Sequence, residues 1–333
     1  MRDNRVYFLG PPEKGYSVSQ TEYKNVFKLD YSGFIKGLRF LPRLIIQREI
    51  QKVYRRLEKE AGVKFDIIWS FDNSVFFDFR AIPDSVLKIS HIVDLNQNFQ
   101  RKLSAKTADY CFATTDYICE ELIKHNSKTF KINHGFNEVK INPQNLSLPG
   151  SNRIKAIYAG NLDMPYLDWE LLFRVVEKHK AIDFIFIGPN GEMDNSFNNY
   201  KSKSLQQSNV FSIGKINSNQ LGNYYTRADM LLISYQGQYH NDQANPHKMM
   251  EYLGAGKVII ATYTNEFKDL MDENLIAMSI NNQNYLDKFS EVTSNLSFWN
   301  NESLVQMRKS YALNNTYNKQ IERIEEKLSE SFN

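Results

Sequence analysis

The chain has 333 residues, which at roughly 150 residues per domain predicts two domains, each with a core of its own. Apolar types make up 42% and charged types 24%, an ordinary globular balance that excludes a disordered chain. Lys and Arg number 41 against 38 Asp and Glu, a net charge of +3, too balanced for a protein whose main task is neutralising a nucleic-acid backbone.

The two cysteines, Cys111 and Cys119, are too few for a disulfide framework or a Cys-rich zinc site and read as packing residues in a reducing compartment. The start leads straight into a strand-like run with no cleavable apolar signal, and nowhere do about 18 apolar residues run uninterrupted. The expectation is a cytoplasmic protein that does not span a membrane.

In chain order, Val6 to Gly10 and Val26 to Leu29 read as strands. A long helix is predicted from Leu44 to Glu60, because Ile46, Ile50, Val53 and Leu57 repeat at the spacing of one buried stripe, with Arg48, Lys52, Arg55 and Lys59 on the other side. Phe65 to Phe71, Val86 to Val93, Tyr110 to Thr114 and Phe130 to Ile132 follow as strands rich in Val, Ile, Phe and Tyr. Residues 137–152 lose periodicity and gain Asn, Pro and Gly, a linker composition.

The alternation then restarts. Strands are predicted at Ile154 to Ala159, Phe184 to Ile187, Val210 to Ile213, Met230 to Ser234, Val258 to Ala261 and Leu275 to Ile280, with helices near 168–179, 218–228, 246–255 and 284–293. After Phe298 the pattern is helical to Leu328. Such alternation implies parallel sheets flanked by helices. The expected fold class is therefore α/β, with two Rossmann-like doubly wound domains facing across a cleft. The domains are read as 1–146 and 147–315, with a terminal helix, 316–333, returning to the first.

Several chemistries fail on spacing. Gly254-Ala255-Gly256-Lys257 lacks both the earlier glycine, replaced by Glu251, and the following Ser or Thr of a P-loop. No GxGxxG follows any predicted strand, which removes the main support for a nicotinamide or flavin enzyme. No Asp-x-Asp pair is present to hold a divalent cation, and the six histidines show no zinc-binding spacing. No metal or other cofactor is expected.

The most informative stretch is Asp229 to Thr262. A buried strand ends in a polar loop, and Asn245-Pro246 then gives a helix start, Asn as N-cap and Pro at the first helical position. Its free amides and partial positive charge suit a diphosphate, and Lys248 in the first turn adds a full charge. Glu251 follows on neighbouring helical surface, where a carboxylate can accept from two ribose hydroxyls. The ordinary alternative is a capped surface helix with an exposed Lys and Glu.

This stretch, Asn245-Pro246-x-Lys248-x-x-Glu251-Tyr252-Leu253-x-Ala255-Gly256-Lys257-Val258-Ile259-Ile260, resembles the donor-site helix and following strand of bacterial GT-B glycosyltransferases related to glycosyltransferase family 4. Ile157 to Leu162, Phe186 to Pro189, Asn209 to Lys215 and Ala108 to Asn137 resemble further segments of that group, so the similarity covers roughly residues 85–265 in order. The resemblance implies that Gly160 and Asn161 approach the diphosphate and that Gly188 closes the second strand. It also implies that Lys215 flanks the base, Lys248 holds phosphate and Glu251 holds ribose. Gln243, with Asp242 beside it, stands where retaining members often carry a second glutamate, which leaves inverting and retaining outcomes both open. A looser similarity of residues 158–162 and of Asn245-Pro246-His247-Lys248 to hexose transferases of surface glycan assembly implies a UDP-hexose donor, with His247 at the donor.

In the first domain, Asp94 is the first candidate base for the acceptor hydroxyl and His91 the second, both at a predicted strand end. Packing of His91 and helix capping by Asp94 are their structural alternatives. Glu13, in Gly10 to Gly15, is a reserve base. Lys36 to Glu60 holds eight Lys or Arg against three Asp or Glu, a concentration that suits peripheral contact with an anionic inner leaflet, or simply a solvated helix face. The function expected is metal-independent transfer of a hexosyl unit from a nucleotide sugar to a cell-surface glycan or its lipid-linked precursor. A nucleotide-sugar 2-epimerase and a catalytically silent sugar-nucleotide binding module are the alternatives.

Overall fold

A computed structural model describes residues 4–71, 76–94, 100–138, 146–191, 199–237, 245–278 and 284–329. The chain divides into two units, Met1–Lys131 and Ile132–Asn333.

The N-terminal unit begins with β1 (Val6–Leu9), β2 (Ser17–Gln20) and β3 (Val26–Asp30), a sheet in the order β1-β3-β2. β1 pairs parallel with β3, but β2 pairs antiparallel, a departure from the all-parallel expectation. Its sequence, Ser-Val-Ser-Gln, is exposed throughout, so it has no buried face for periodicity to reveal. What defines it is pairing, reinforced by the Ser17 hydroxyl donating to Asp30 at 2.8 Å.

Helix α1 (Arg43–Ala61) buries Ile46, Ile50, Val53, Tyr54 and Leu57, each large aliphatic side chain contributing about 1.5–3 kcal/mol. It stops at Gly62, whose φ of 67° is a left-handed cap that glycine adopts without strain. A second sheet, all parallel, has the order β4-β5-β6-β7, from β4 (Ile67–Ser70), β5 (Leu87–Ile92), β6 (Tyr110–Ala113) and β7 (Thr129–Lys131). Helices α2 (Arg101–Thr107) and α3 (Asp116–Ile123) connect its later strands. Cys111, on β6, is fully buried, and burial pushes its thiol up to about 12, in keeping with a packing role.

The C-terminal unit is one six-stranded parallel sheet in the order β10-β9-β8-β11-β12-β13. Its strands are β8 (Ile154–Ala159), β9 (Ile182–Ile187), β10 (Val210–Gly214), β11 (Met230–Ile233), β12 (Val258–Ala261) and β13 (Ile276–Ala277). Helices α4 (Trp169–Lys178), α5 (Asn199–Leu205), α6 (Ser218–Arg227), α7 (Lys248–Ala255), α8 (Lys268–Asp272) and α9 (Tyr285–Ser294) are interleaved with them or follow, and α10 (Leu296–Trp299), α11 (Glu302–Leu313) and α12 (Tyr317–Ser329) complete the unit. One continuous core spans the whole sheet, with β9, β11 and β12 buried along their full length, as expected of strands covered on both faces. Arg308 of α11 is wholly buried and donates to the carbonyls of Leu275, Gly256 and Asn274. It thereby satisfies carbonyls at the end of α7 and in the turn before β13.

Composition placed a boundary after residue 146, whereas Ile132 to Phe136 already belong to the C-terminal unit. The Phe136 amide donates to the Asn315 carbonyl at 2.8 Å, and the Tyr317 amide donates to the Phe136 carbonyl at 3.2 Å. The terminal segment holds 134–136 further, Gln320 donating to the His134 carbonyl as well.

Candidate functional site

The strand order of the C-terminal unit makes β8 and β11 neighbours, although β8 leads to β9 on one side and β11 to β12 on the other. In a doubly wound sheet this reversal opens a crevice at the carboxyl ends of the two strands, the favoured ligand position. Gly160 follows β8, and α7 lies between β11 and β12.

Gly160 and Gly188 have φ of 154° and 152°. A β-carbon on Gly188 would lie 1.8 Å from the Gly160 carbonyl oxygen, and one on Gly160 would lie 2.5 Å from Lys248 Nζ and 3.0 Å from Tyr158 Oη. Only glycine fits either place. The Gly160 amide donates to the Ile187 carbonyl at 2.8 Å, and the Gly188 amide to the Gly214 carbonyl at 2.9 Å. Gly160 therefore offers a ligand close approach, its amide being already committed. Asn161 is exposed, and its side-chain oxygen accepts from the Asp163 amide at 3.0 Å. Asp163 in turn accepts from the Gly191 amide and pairs with the buried Lys201, which braces the loops after β8 and β9 against each other.

Helix α7 begins at Lys248, with His247 as an N-cap that makes no side-chain bond. This corrects the expected start: the cap position falls two residues after Asn245, whose side-chain amide instead donates to Asn133 Oδ1 at 2.7 Å. The Met249 amide reaches the Pro246 carbonyl at 2.9 Å, a tight first turn. His247 is exposed, its ring edge-on to His134 at 6.2 Å.

Lys248 is the unusual group. It is 7% exposed, which rules out the exposed-lysine alternative, and its Nζ lies 4.3 Å from the centre of the Tyr158 ring and 5.6 Å from that of Tyr235. Among the described residues it makes no ion pair. Burial, opposed only by Glu251, lowers its pKa to about 7. The Tyr158 hydroxyl beside it is fully buried, with no hydrogen-bond partner among the described residues, and burial holds its pKa well above the usual tyrosine value. A buried lysine with no ion pair among the described residues and a buried hydroxyl with no hydrogen-bond partner among them converge next to a glycine whose absent side chain leaves room for a ligand's oxygens.

Glu251, half-buried, accepts from the Tyr225 hydroxyl at 3.3 Å. Tyr225 packs edge-on against Tyr252 at 5.0 Å, and the Tyr252 hydroxyl accepts from the Ala159 amide at 2.9 Å. This chain of contacts ties α6, α7 and β8 together. A pocket of about 70 Å³ opens beside Glu251, lined among others by Phe136, Ser218, Leu221, Gly222 and Tyr225. Lys215 is exposed just past β10, after Gly214 in the left-handed region.

Gly160, Gly188, Lys248 and Tyr158 thus meet in one place, with Glu251 a turn further along α7. Gln243 and Asp242 lie outside the described residues. Sequence reasoning missed Tyr158, Tyr225, Tyr235 and Lys201. Tyr158 had a legible signal, since strand alternation turns it and Ala156 to the same face of β8, but its meeting with Lys248 depends on the strand order.

In the N-terminal unit, His91 on β5 is 6% exposed, and its Nδ1 accepts from Trp69 Nε1 at 3.3 Å. The rings of Phe71, Phe112 and Trp69 surround it, with centres 4.9, 5.9 and 5.9 Å away. Asp94 is exposed beyond the end of β5. The helix it was weighed as capping is described from Arg101 with Gln100 as N-cap, and residues 95–99 lie outside the description. Glu13 pairs with Lys28 at 2.7 Å. Among the described residues, no group of three or more His, Cys, Asp or Glu is placed to hold a metal ion, and no helix is long and apolar enough to cross a membrane.

No protein-family model and no curated protein sequence matches the chain. Solved structures do. Sucrose-phosphate synthase from Thermosynechococcus elongatus superposes with a TM-score of 0.74 at 13% identity, over 98% of this chain and 89% of that one. Anabaena HepE in complex with UDP-glucose gives 0.64 at 13% identity, over 84% and 82%. α,α-Trehalose 6-phosphate synthase from Burkholderia multivorans gives 0.66 at 10% identity, over 98% and 91%. The fold they share with this chain is GT-B, two Rossmann-like domains, as the motif resemblance implied.

Proposed function

We propose that the chain is a glycosyltransferase that moves a hexosyl unit from a UDP-sugar to a hydroxyl of a cell-surface glycan or its lipid-linked precursor. The observation that carries this reading is Lys248, a buried lysine that makes no ion pair among the described residues, aimed at a glycine turn on the ligand-binding edge of a parallel sheet. A diphosphate supplies the missing counter-charge, and charge-assisted bonds in such a site are about twice as strong as neutral ones.

The departing UDP carries negative charge that grows as the glycosidic bond breaks. Lys248 is fixed in advance to meet it at the N-terminal end of α7, which lowers the barrier by preorganisation. Glu251 accepts from the ribose hydroxyls, and the pocket beside it, lined by Phe136 and Leu221, receives the nucleoside. Lys215 flanks the base. On the acceptor side Asp94 takes the hydroxyl proton. Its exposure suits this role better than His91, whose ring is enclosed by aromatic neighbours. The UDP-glucose held by HepE supports a UDP-hexose as donor.

A thermal-shift screen against UDP, GDP, TDP and their sugars tests the reading, because a ligand that binds the folded state raises its apparent stability in proportion to affinity. The expected result is selective stabilisation by UDP and one UDP-hexose, followed by acceptor-dependent release of UDP. Conversion of the donor with no acceptor present would favour an epimerase, and no stabilisation by any nucleotide would contradict the proposal.

A further inference from the structure

We propose that residues 35–48, where the N-terminal unit enters its long helix, form a docking surface for an anionic lipid bilayer. Between Tyr31 and Arg48 there is no Asp or Glu, while Lys36, Arg39, Arg43 and Arg48 supply four cations, all exposed. The same stretch exposes Phe40 at 78%, Leu44 at 70%, and Ile35 and Ile45 at 43% each. Single exposed apolar side chains are ordinary. Four within residues 35–45, interleaved with cations, form a surface with the two properties that interfacial binding needs, apolar side chains to insert and positive charge to meet headgroups.

The stretch is held from below by Leu38 and Ile46, 7% and 8% exposed, so its outer side chains stand on a fixed base. The Arg39 guanidinium lies 4.8 Å from the Phe40 ring centre, an arrangement that lets the ring enter an apolar layer while the charge stays at headgroup level. Helix α1 starts at Arg43 with no side-chain cap and no acidic residue in its first turn. A cation beside free amides is unfavourable in water and favourable against a phosphate. The nearest carboxylate to Arg43 is Asp78, 3.9 Å away and engaged by Arg80 at 2.6 Å.

Sequence reading spread the membrane contact over residues 36–60. The structure narrows it to the entry of α1, because the apolar stripe Ile46, Ile50, Val53 and Leu57 is buried in the unit's own core and unavailable to lipid. Further along α1, Glu49 and Glu60 pair with Lys52 and Arg56, whereas residues 31–48 carry no acidic residue of their own. A nucleic acid would meet the cations but leave Phe40, Leu44 and Ile45 without a partner. A second copy across a two-fold axis would set cation against cation. This surface rests on the transferase reading only in saying where a lipid-linked acceptor is met.

The test is flotation of the full chain with vesicles of phosphatidylcholine alone or mixed with phosphatidylglycerol, at low and high salt. The expected result is partition onto the phosphatidylglycerol vesicles, weakened by salt. Phe40→Ser/Leu44→Ser should lower it by about tenfold or more, and Arg39→Glu/Arg43→Glu by at least as much. Lys203→Glu, an exposed reversal in the other unit, should leave it unchanged. All variants should keep the wild-type unfolding midpoint and UDP affinity. Wild type that stays unbound, or a Phe40→Ser/Leu44→Ser protein that floats like wild type, would overturn the proposal. Normal flotation with no UDP binding would count against the transferase reading alone.

Discussion

In the C-terminal unit, the edge of one six-stranded sheet fixes a buried lysine, two abutting glycine turns and a half-buried carboxylate, all within a single hydrophobic core. In the N-terminal unit, two smaller sheets stand over two separate cores. There Asp94 is exposed past a strand end and His91 is enclosed by aromatic rings. Under the proposed function, the difference teaches that donor chemistry is built into the scaffold before any ligand arrives, whereas the acceptor side relies on an exposed carboxylate at a strand end. A site built this way resists sequence change at its backbone, and a site of the other kind depends on one side chain.

The sharpest way to break this contrast is Asp94→Asn. If Asp94 is the base, turnover should fall by about 10²–10⁴-fold while UDP affinity by calorimetry stays at the wild-type value. Near-normal turnover would remove it from the chemistry, and His91→Phe would then become the informative variant. With Asp94 as base, His91→Phe should cost less than about tenfold in turnover, since Trp69 and Phe112 already pack the ring as an aromatic neighbour.

On the donor side the largest structural effect belongs to Gly188→Ala, whose added carbon meets the Gly160 carbonyl oxygen at 1.8 Å. A loss of about 3 kcal/mol, read as a Tm several degrees lower, is expected. An unchanged Tm would show that the two turns are not locked together. Glu251→Ala should weaken UDP by about tenfold, the size of a hydrogen bond to a charged group, and should weaken 2′,3′-dideoxy-UDP much less.

The last expected effect is a pH slope. Burial lowers the Lys248 pKa from an ordinary 10.5 to about 7, so between those values the unfolded chain holds a proton that the folded chain has shed. Stability of the ligand-free protein therefore rises with pH across this window, by at most about 1.4 kcal/mol per unit. The contribution is fully present above 10.5 and is lost as pH falls through 7. Denaturant unfolding of wild type and Lys248→Met at several pH values isolates it, because the methionine variant should lack this component.

Most of this scaffold was legible. Periodicity located β8, β12 and α1 within a residue or so, because each has a long buried face. It missed β2, which buries nothing, and it could not show the bridge between Phe136 and Thr316, which are far apart in sequence. The sequence singled out Lys248 and Glu251 by their place on a helix after a strand. The burial of Lys248 under Tyr158 and Tyr235 was not legible, because those rings arrive from two other points of the chain. Nor was the start of α7 legible: the cap falls at His247, and Asn245 donates to Asn133 on a distant segment.

Calorimetric titration of UDP at pH 7, run in buffers of different ionisation enthalpy, puts the donor site to its most direct test. A diphosphate beside Lys248 restores its charge, so wild type should bind UDP with net uptake of a fraction of a proton, and affinity should fall as pH rises above 7. Lys248→Met should fold, bind about 10–100-fold more weakly and take up no proton at this step. Equal affinity for UDP in the two proteins would contradict the account.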